Sequence, residues 1–191
     1  MKSKFYLFAL IVAAILPLWL LGCEKPAETA NKTTEAQPAA EAKSADVLPA
    51  NLFTATQPEG ARGIGDVKAD PTVKGEVVIH GRIGGRREPF FNGSAMFLLV
   101  DMKIKTCEEL HPGGCPTPWD NCCEPKDSLL ANTATVQVIG SDGKPLRLDL
   151  AGVSGLEPMR EITIKGTIAP RESNDTLVVN AESIYVKPTG G

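Results

Sequence analysis

The sequence contains little of the side-chain chemistry on which most enzymes depend. Histidine occurs only twice in 191 residues, at His80 and His111. No Ser/His/Asp set, nucleophile elbow, phosphate loop or carboxylate pair stands out, and the glycines at 81, 84 and 85 precede no helical pattern. Since acid–base catalysis at neutral pH relies most often on histidine, we expect a protein that is not an enzyme.

Excess positive charge and aromatic residues are also scarce. The whole chain has 20 Lys+Arg against 23 Asp+Glu, and Phe, Trp and Tyr together make up 5% of it. Residues 73–187 contain 13 Lys+Arg and 15 Asp+Glu. Proteins bind phosphate backbones through clustered positive charge, and they bind single strands through stacked aromatic side chains. Nucleic acid is therefore not an expected partner.

The first 23 residues have the pattern of a targeting segment. Lys2 and Lys4 precede an apolar run over residues 5–21, after which the chain turns polar. The ending Leu20-Leu21-Gly22-Cys23 resembles the cleavage site of a bacterial lipoprotein signal peptide. An ordinary transmembrane anchor is the alternative, but so short an apolar run, interrupted by proline, barely spans the ~30 Å hydrocarbon core of a bilayer.

This resemblance implies where the protein lies. In bacterial lipoproteins the signal peptide, here residues 1–22, is removed, and the new N-terminal cysteine, here Cys23, carries diacylglycerol and palmitate. Glu24 stands where lipoproteins retained in the inner membrane of enterobacteria carry Asp. We therefore expect a lipid-anchored membrane protein of the bacterial cell envelope that faces the periplasm, with the outer membrane favoured over the inner.

A polar segment follows the lipidation site. Between residues 24 and 50 the chain has eight Ala and three Pro, and Val47 and Leu48 are its only larger apolar residues. Such a segment cannot bury enough apolar surface to offset the entropy of ordering it. We expect residues 23–72 to be a lipid-anchored disordered linker and residues 73–187 to form one domain.

The pattern of the predicted domain favours strands over helices. Apolar and polar residues alternate over several short segments, and one segment that is apolar on both faces predicts a central strand. The Asp142-Gly143 pair predicts a hairpin turn. The predicted strands lie at 76–83, 95–100, 133–139, 146–150, 161–168 and 177–186.

The strand pattern resembles that of an OB-fold, in particular the type found in anticodon-binding domains. Val77-x-Ile79-x-Gly81-x-Ile83 and Ile162-x-Ile164-x-Gly166-x-Ile168 both place glycine third among the inward positions. Strands of a small barrel bend sharply and approach closely, and glycine permits both. The resemblance implies an all-β fold, a small OB-like Greek-key barrel of five to six strands with a Cys/Pro-rich insertion at 102–132. A β-sandwich is the alternative.

OB-folds usually bind ligands with their second and third strands and the adjacent loops. The loop after the first predicted strand carries basic and aromatic residues that could bind an anion, although a solvated hairpin end is the alternative. A tryptophan in the insertion is either a lid over cross-links or an exposed anchor for a partner. The candidate ligand-binding residues are Arg82, Arg86, Arg87, Phe90, Phe91 and Trp119.

The insertion holds four of the five cysteines: Cys107, Cys115, Cys122 and Cys123. Disulfides form in oxidising compartments such as the periplasm. Because adjacent cysteines would close a strained ring, we expect two disulfides in which Cys107 and Cys115 each pair with Cys122 or Cys123, and the pairing stays open. Four prolines and two glycines over 107–125 also predict a loop without regular elements.

Metal binding is the alternative for the same segment, and it would make Zn or Cu the only cofactor that we expect. Cys107, His111 and Cys115 recur at intervals of four. With Cys122 and Cys123 they offer five soft or borderline ligands to Zn or Cu(I). The segment has no Cys-x-x-Cys pair, so its spacing is not that of a zinc ribbon.

Two functions from different classes follow. The first is a non-catalytic binding module that presents a cross-linked loop to a protein or an envelope glycan. The second is a soft-metal binding or thiol-redox protein that uses residues 107–123. Counting the free thiols of the purified protein distinguishes the two, because structural disulfides leave none.

Replacing Cys23 with serine should abolish lipid labelling, because the thioether cannot form without the thiol, and should leave the precursor uncleaved. Labelling with palmitate and the N-terminal mass of the mature chain measure the two effects. A mature wild-type chain that begins at any residue other than an acylated Cys23 would contradict the prediction.

Overall fold

The computed structural model describes residues 46–171, 173 and 175–189. The predicted signal peptide, the lipidation site Cys23 and the linker up to residue 45 lie outside the described residues. Within the described part, no helix is long and apolar enough to cross a membrane. The lipid anchor therefore stays a prediction.

The described residues form seven strands and a few short helices. The helices are α1 (Ile64–Ala69), α2 (Cys107–Leu110) and α3 (Lys126–Ala131), with 3-10 turns at Pro118–Asp120 and Val153–Gly155. The strands are β1 (Phe53–Thr54), β2 (Arg62–Gly63), β3 (Glu76–Ile83), β4 (Met96–Val100), β5 (Thr133–Gln137), β6 (Glu161–Ile168) and β7 (Val178–Val186).

Five of these strands close into a barrel. β3 pairs antiparallel with β4 and β6, and β4 pairs antiparallel with β5. β7 completes the ring, because it pairs antiparallel with β6 and parallel with β5. This strand order confirms the predicted small all-β barrel, and the described residues do not form the alternative β-sandwich.

Side chains alternate between the barrel interior and its surface. In β3, Val77, Ile79 and Ile83 are buried, as the sequence pattern predicts, and the residues between them are at least partly exposed, except Gly81. Burying a side chain of this size contributes about 1.5–3 kcal/mol to stability. The core is completed by buried residues of the other strands and of the N-terminal segment, among them Leu52, Phe97, Leu99, Val136, Ile162, Ile164, Val179 and Ile184.

The two strand glycines lie where backbones approach closely. A Cβ atom on Gly81 would stand 2.6 Å from the carbonyl oxygen of Val100, and one on Gly166 would collide with the carbonyl oxygen of Asn180. The pairing of β6 with β7 also shifts register between Lys165 and Gly166, which marks a bulge. Glycine is therefore required by the closeness of the neighbouring strands, as expected for a small barrel.

The Asp142-Gly143 turn forms as predicted, but its second arm is not a strand. Ile139 and Pro145 form an isolated bridge, and residues 146–150 belong to no strand. Pro145 has no backbone N–H, so it cannot continue the ladder of hydrogen bonds. The arm still contributes to the core, through Leu146 and Leu150.

The folded domain begins earlier than predicted. β1 pairs in parallel with β7, and β2 pairs in parallel with β3. Leu52, Ile64 and Val67 are completely buried. The prediction of a disordered linker is therefore wrong for residues 46–72. A few apolar side chains suffice to order this segment, because the barrel provides strand edges and core space for them.

Two buried charged residues hold α1 against the barrel. The Lys68 ammonium donates hydrogen bonds to the carbonyl oxygens of Leu130 (2.6 Å), Thr133 (3.2 Å) and Asp175 (2.6 Å). Burial lowers the pKa of Lys68, against the opposing effect of the Asp175 carboxylate. At the other end of the helix, the Asp101 carboxylate accepts a hydrogen bond from the Gly65 N–H at 2.9 Å. These bonds tie α1 to three separate segments of the chain.

Replacing Gly166 with alanine should lower the free energy of unfolding by more than about 1 kcal/mol, because the methyl group must displace the backbone of β7. Gly140→Ala is the matched control, since its methyl group would meet the side-chain ends of Leu146 at 3.1 Å and Asp142 at 3.3 Å, and the nearest backbone atom, the Lys144 carbonyl oxygen, lies 3.9 Å away. Urea denaturation measures both variants. Equal midpoints for the two would contradict the close approach at Gly166.

Candidate metal centre

The cysteine loop, residues 107–123, begins with a short capped helix. The Thr106 hydroxyl accepts a hydrogen bond from the Glu109 N–H at 3.2 Å, and the Glu109 carboxylate accepts one from the Thr106 N–H at 2.7 Å. The Thr106 bonds, assisted by Arg82, lower the pKa of Glu109. This capping box stabilises α2 and fixes Cys107 in its first turn, completely buried. The expectation of a loop without regular elements is thus wrong, because residues 106–109 cap their own helix.

The other end of the loop returns to Cys107 through Asn121. Asn121 has φ of 53° and ψ of 30°, a left-handed conformation that asparagine tolerates. Its buried side chain donates to the carbonyl oxygen of Lys105 at 2.9 Å and accepts from the N–H of Gly85 at 3.2 Å. This turn places Cys122 beside Cys107, with their Sγ atoms 3.5 Å apart.

Three thiols and one carboxylate converge in the loop. The Sγ atoms of Cys107, Cys115 and Cys122 and a carboxylate oxygen of Asp120 all lie within 4.8 Å of one another. Around a tetrahedral zinc ion with Zn–S bonds of ~2.3 Å, sulfur atoms stand ~3.8 Å apart. The four donor atoms therefore have nearly the spacing needed to surround one metal ion.

Hydrogen bonds orient the Asp120 carboxylate within this cluster. Oδ1 accepts from the Cys122 N–H at 3.0 Å and from the Cys107 thiol at 3.5 Å, and Oδ2 accepts from the Thr117 hydroxyl at 2.8 Å. Burial alone raises the pKa of Asp120, but these hydrogen bonds outweigh it and hold the pKa below its usual value. Asp120 is thus an oriented anion at neutral pH, as metal-binding carboxylates commonly are.

The same carboxylate affects the neighbouring thiols. Its hydrogen bond, with that of the Cys107 thiol, raises the pKa of Cys122 well above the usual range. The Cys107 thiol likewise raises the pKa of Cys123. Since the thiolate is the reactive form, the two exposed cysteines are weak nucleophiles in the metal-free protein. Metal binding also requires the thiolate, so both metal binding and thiol–disulfide exchange at these cysteines involve the loss of a proton.

Trp119 fastens the loop to the barrel. Its indole N–H donates to the carbonyl oxygen of Arg87 at 3.0 Å, and its own carbonyl oxygen accepts from the Gly85 N–H at 2.8 Å. A Cβ atom on Gly84 would stand 2.5 Å from that carbonyl oxygen, so the contact depends on glycine. Trp119 is half-buried and hydrogen-bonded within the chain. This position fits the predicted lid better than an exposed anchor for a partner.

Most of the other residues predicted to bind a ligand contact their own chain instead. Arg82 pairs with Glu109 at 3.2 Å, and the Arg86 guanidinium stacks over the Phe91 ring at 4.4 Å. The Phe90 ring packs against the core residue Phe97, with centroids 5.9 Å apart. Of the predicted set, Arg87 has an exposed side chain for which the described residues show no such contact. The structure does not bring these residues together as an anion site.

The cysteine predictions are partly corrected. The four cysteines of the loop are free thiols, and 3.5 Å between Cys107 and Cys122 is far beyond an S–S bond of ~2.05 Å, so the two predicted disulfides are not formed. His111 and Cys123 lie outside the converging set. Asp120 belongs to it, although no sequence pattern singled it out. The sequence feature that could have identified Asp120 is its position three residues after Thr117, in a Thr-Pro-Trp-Asp turn.

A groove lies on the outer face of β4 and β5, the second and third strands of the barrel. It has a volume of about 360 Å³ and runs between these strands and α3. Leu130, at its edge, is 56% exposed. The apolar residues that line it include Leu98, Leu129, Leu130 and Leu177.

Comparison of the chain with protein-family models, curated proteins and solved structures found no match.

In the reduced, metal-free protein, Cys122 should react with iodoacetamide at pH 8 more slowly than glutathione does, although its side chain is exposed. The reason is its raised pKa, which leaves a smaller fraction of thiolate. Asp120→Asn should accelerate the reaction at Cys122, because it removes the negative charge. Peptide mass mapping measures the rates. A rate equal to that of glutathione and unchanged by Asp120→Asn would show that Asp120 does not act on this thiol.

Proposed function

We propose that this chain is a lipid-anchored protein of the bacterial cell envelope whose OB-like domain binds one thiophilic metal ion in its cysteine loop. The ligands are Cys107, Cys115, Asp120 and Cys122. The observation that carries the proposal is the convergence of their four donor atoms within 4.8 Å. The loop has two hydrogen-bonded attachments, at Thr106 and at Asn121, that hold the donors in place.

The donor set favours zinc among thiophilic ions. Thiolates suit both Zn²⁺ and Cu⁺, whereas a carboxylate is a hard ligand that Cu⁺ does not prefer. Asp120 is already oriented by Thr117 and by the Cys122 backbone. A dication would also offset more of the negative charge that three thiolates and a carboxylate bring together than the monovalent Cu⁺ would. A mixed set of three sulfurs and one oxygen therefore points to Zn²⁺ first and to Cu⁺ second.

The detergent-solubilised, reduced chain should bind one zinc ion, measured by competition with a chromophoric chelator. Cys107→Ser, Cys115→Ser and Asp120→Ala should each weaken binding by about 10- to 100-fold or more, because each removes a ligand. His111→Gln is the matched control. His111 lies in the same loop but outside the converging set, so the zinc affinity of this variant should equal that of the wild type. Asp120→Ala should weaken Zn²⁺ binding far more than Cu⁺ binding.

Two results would contradict the metal site. One is the absence of free loop thiols in protein purified without reductant, since that would show disulfides in place of ligands. The other is a zinc affinity that His111→Gln lowers as much as Cys115→Ser does, since that would assign the ion to a different donor set. Thiol titration under denaturing conditions and the chelator competition provide these measurements.

A non-catalytic binding module for a protein or an envelope glycan is the second candidate. The groove on β4 and β5 favours it, because the exposed Leu130 side chain and the neighbouring leucines present an apolar surface on the usual ligand face. Binding in this groove does not involve the four metal ligands. Removing metal with a chelator would therefore leave this activity intact, which separates the two candidates.

A further inference from the structure

The proposed metal site is open on one side. Cys107 is buried and Asp120 and Cys115 are partly buried, whereas Cys122 is exposed. Structural zinc sites are usually closed by four protein ligands, and sites at which a ligand exchanges keep an accessible position. An ion bound here would be reached from solvent on the side of Cys122.

Cys123 is the next residue after this exposed ligand. It is itself exposed and follows Cys122 directly, so the Cα atoms of the two residues are ~3.8 Å apart. Nevertheless it is not one of the four donors that converge. The fourth thiol of the loop thus belongs to the residue next to a ligand, on the exposed side of the set, where it can replace that ligand without a large movement of the chain.

The barrel is not built around the cysteine loop. The buried apolar cluster consists of residues from the strands, from the segments that connect them and from the N-terminal segment, and it includes none of the loop cysteines. The loop is fastened by Asn121 and Trp119 through hydrogen bonds that involve no metal ligand side chain. Release of the ion therefore removes no part of the core, in contrast to small domains that unfold without their zinc.

We propose that Cys123 is an exchange ligand, through which the bound ion is handed to an acceptor that supplies thiolate or imidazole ligands. This inference rests on the proposed metal site. The domain would then act as a carrier that delivers zinc.

The exchange is a substitution at the metal and involves no oxidation. The Cys123 thiol loses its proton to the leaving sulfur of Cys122 or to buffer, a Zn–S bond forms to Cys123, and the Zn–S bond to Cys122 breaks. The ion keeps four ligands and its charge throughout. It is then held by an exposed cysteine at the rim, where a ligand of the acceptor can replace Cys123 in the same way.

The test uses the zinc-loaded, detergent-solubilised chain and 4-(2-pyridylazo)resorcinol as the acceptor. Cys123→Ser should keep the equilibrium zinc affinity within about threefold of wild type but transfer zinc about tenfold more slowly in stopped-flow absorbance, as expected when a lower-barrier route is lost. Cys123→His should restore the rate, because imidazole also binds zinc. Cys122→Ser is the matched control, and it should lose affinity itself.

A second measurement requires no substitution. In the zinc-loaded wild-type chain, iodoacetamide should modify Cys123 and leave Cys107, Cys115 and Cys122 protected by the ion, and the modified protein should show the slow transfer of Cys123→Ser. Wild-type transfer rates in Cys123→Ser, or modification of Cys123 without effect on transfer, would overturn the exchange role. A loss of affinity in Cys123→Ser equal to that in Cys122→Ser would make Cys123 a permanent ligand. Failure of the wild-type chain to bind zinc would instead refute the metal site itself.

Discussion

Every strand edge of a small barrel needs a partner, and this constraint organises the whole domain. β3 and β7 are longer than some of their neighbours: β4 pairs with β3 only at Arg82 and Ile83, and β5 pairs with β7 only over 178–180. The remaining N–H and C=O groups would be left as open edges. β2 covers β3 at Ile79 and His80, and β1 covers β7 at Ile184 and Tyr185. The N-terminal segment is ordered because it completes these two edges.

The same barrel geometry positions the residues of the proposed metal site. The cysteine loop lies between β4 and β5, which are neighbours, so both ends of the insertion meet at one side of the barrel. The connection after β3 lies at this side as well, and its Gly85 N–H bonds both to Trp119 and to Asn121. With its ends and its middle fixed, the loop has little freedom to separate its donor atoms. Preorganisation of this kind lowers the entropy that binding otherwise costs.

Local pattern predicts the barrel strands, but it does not predict what completes them. Alternation and the Asp142-Gly143 pair are signals contained within a few residues, and the structure follows them except over 146–150, which form no strand. Residues 46–72 are ordered instead by strand edges that form elsewhere in the chain. The average composition of the segment gives no sign of these edges. Asp120 is likewise recognised only by what surrounds it. His111, included for its spacing of four, lies outside the set because α2 ends at Leu110, before a second turn that would align it with Cys107.

The position of β7 as the last of the described strands has a consequence for how the barrel closes. β7 pairs with β1, β5 and β6, so the earliest and the latest described strands are neighbours in the finished domain. A chain that emerges N-terminus first can form the β3–β4–β5 and β3–β6 ladders, yet it cannot close the ring until the last strand has appeared. Contacts of such long sequence separation also slow folding. The barrel therefore remains an open sheet until β7 is available, and its closure is a single late event.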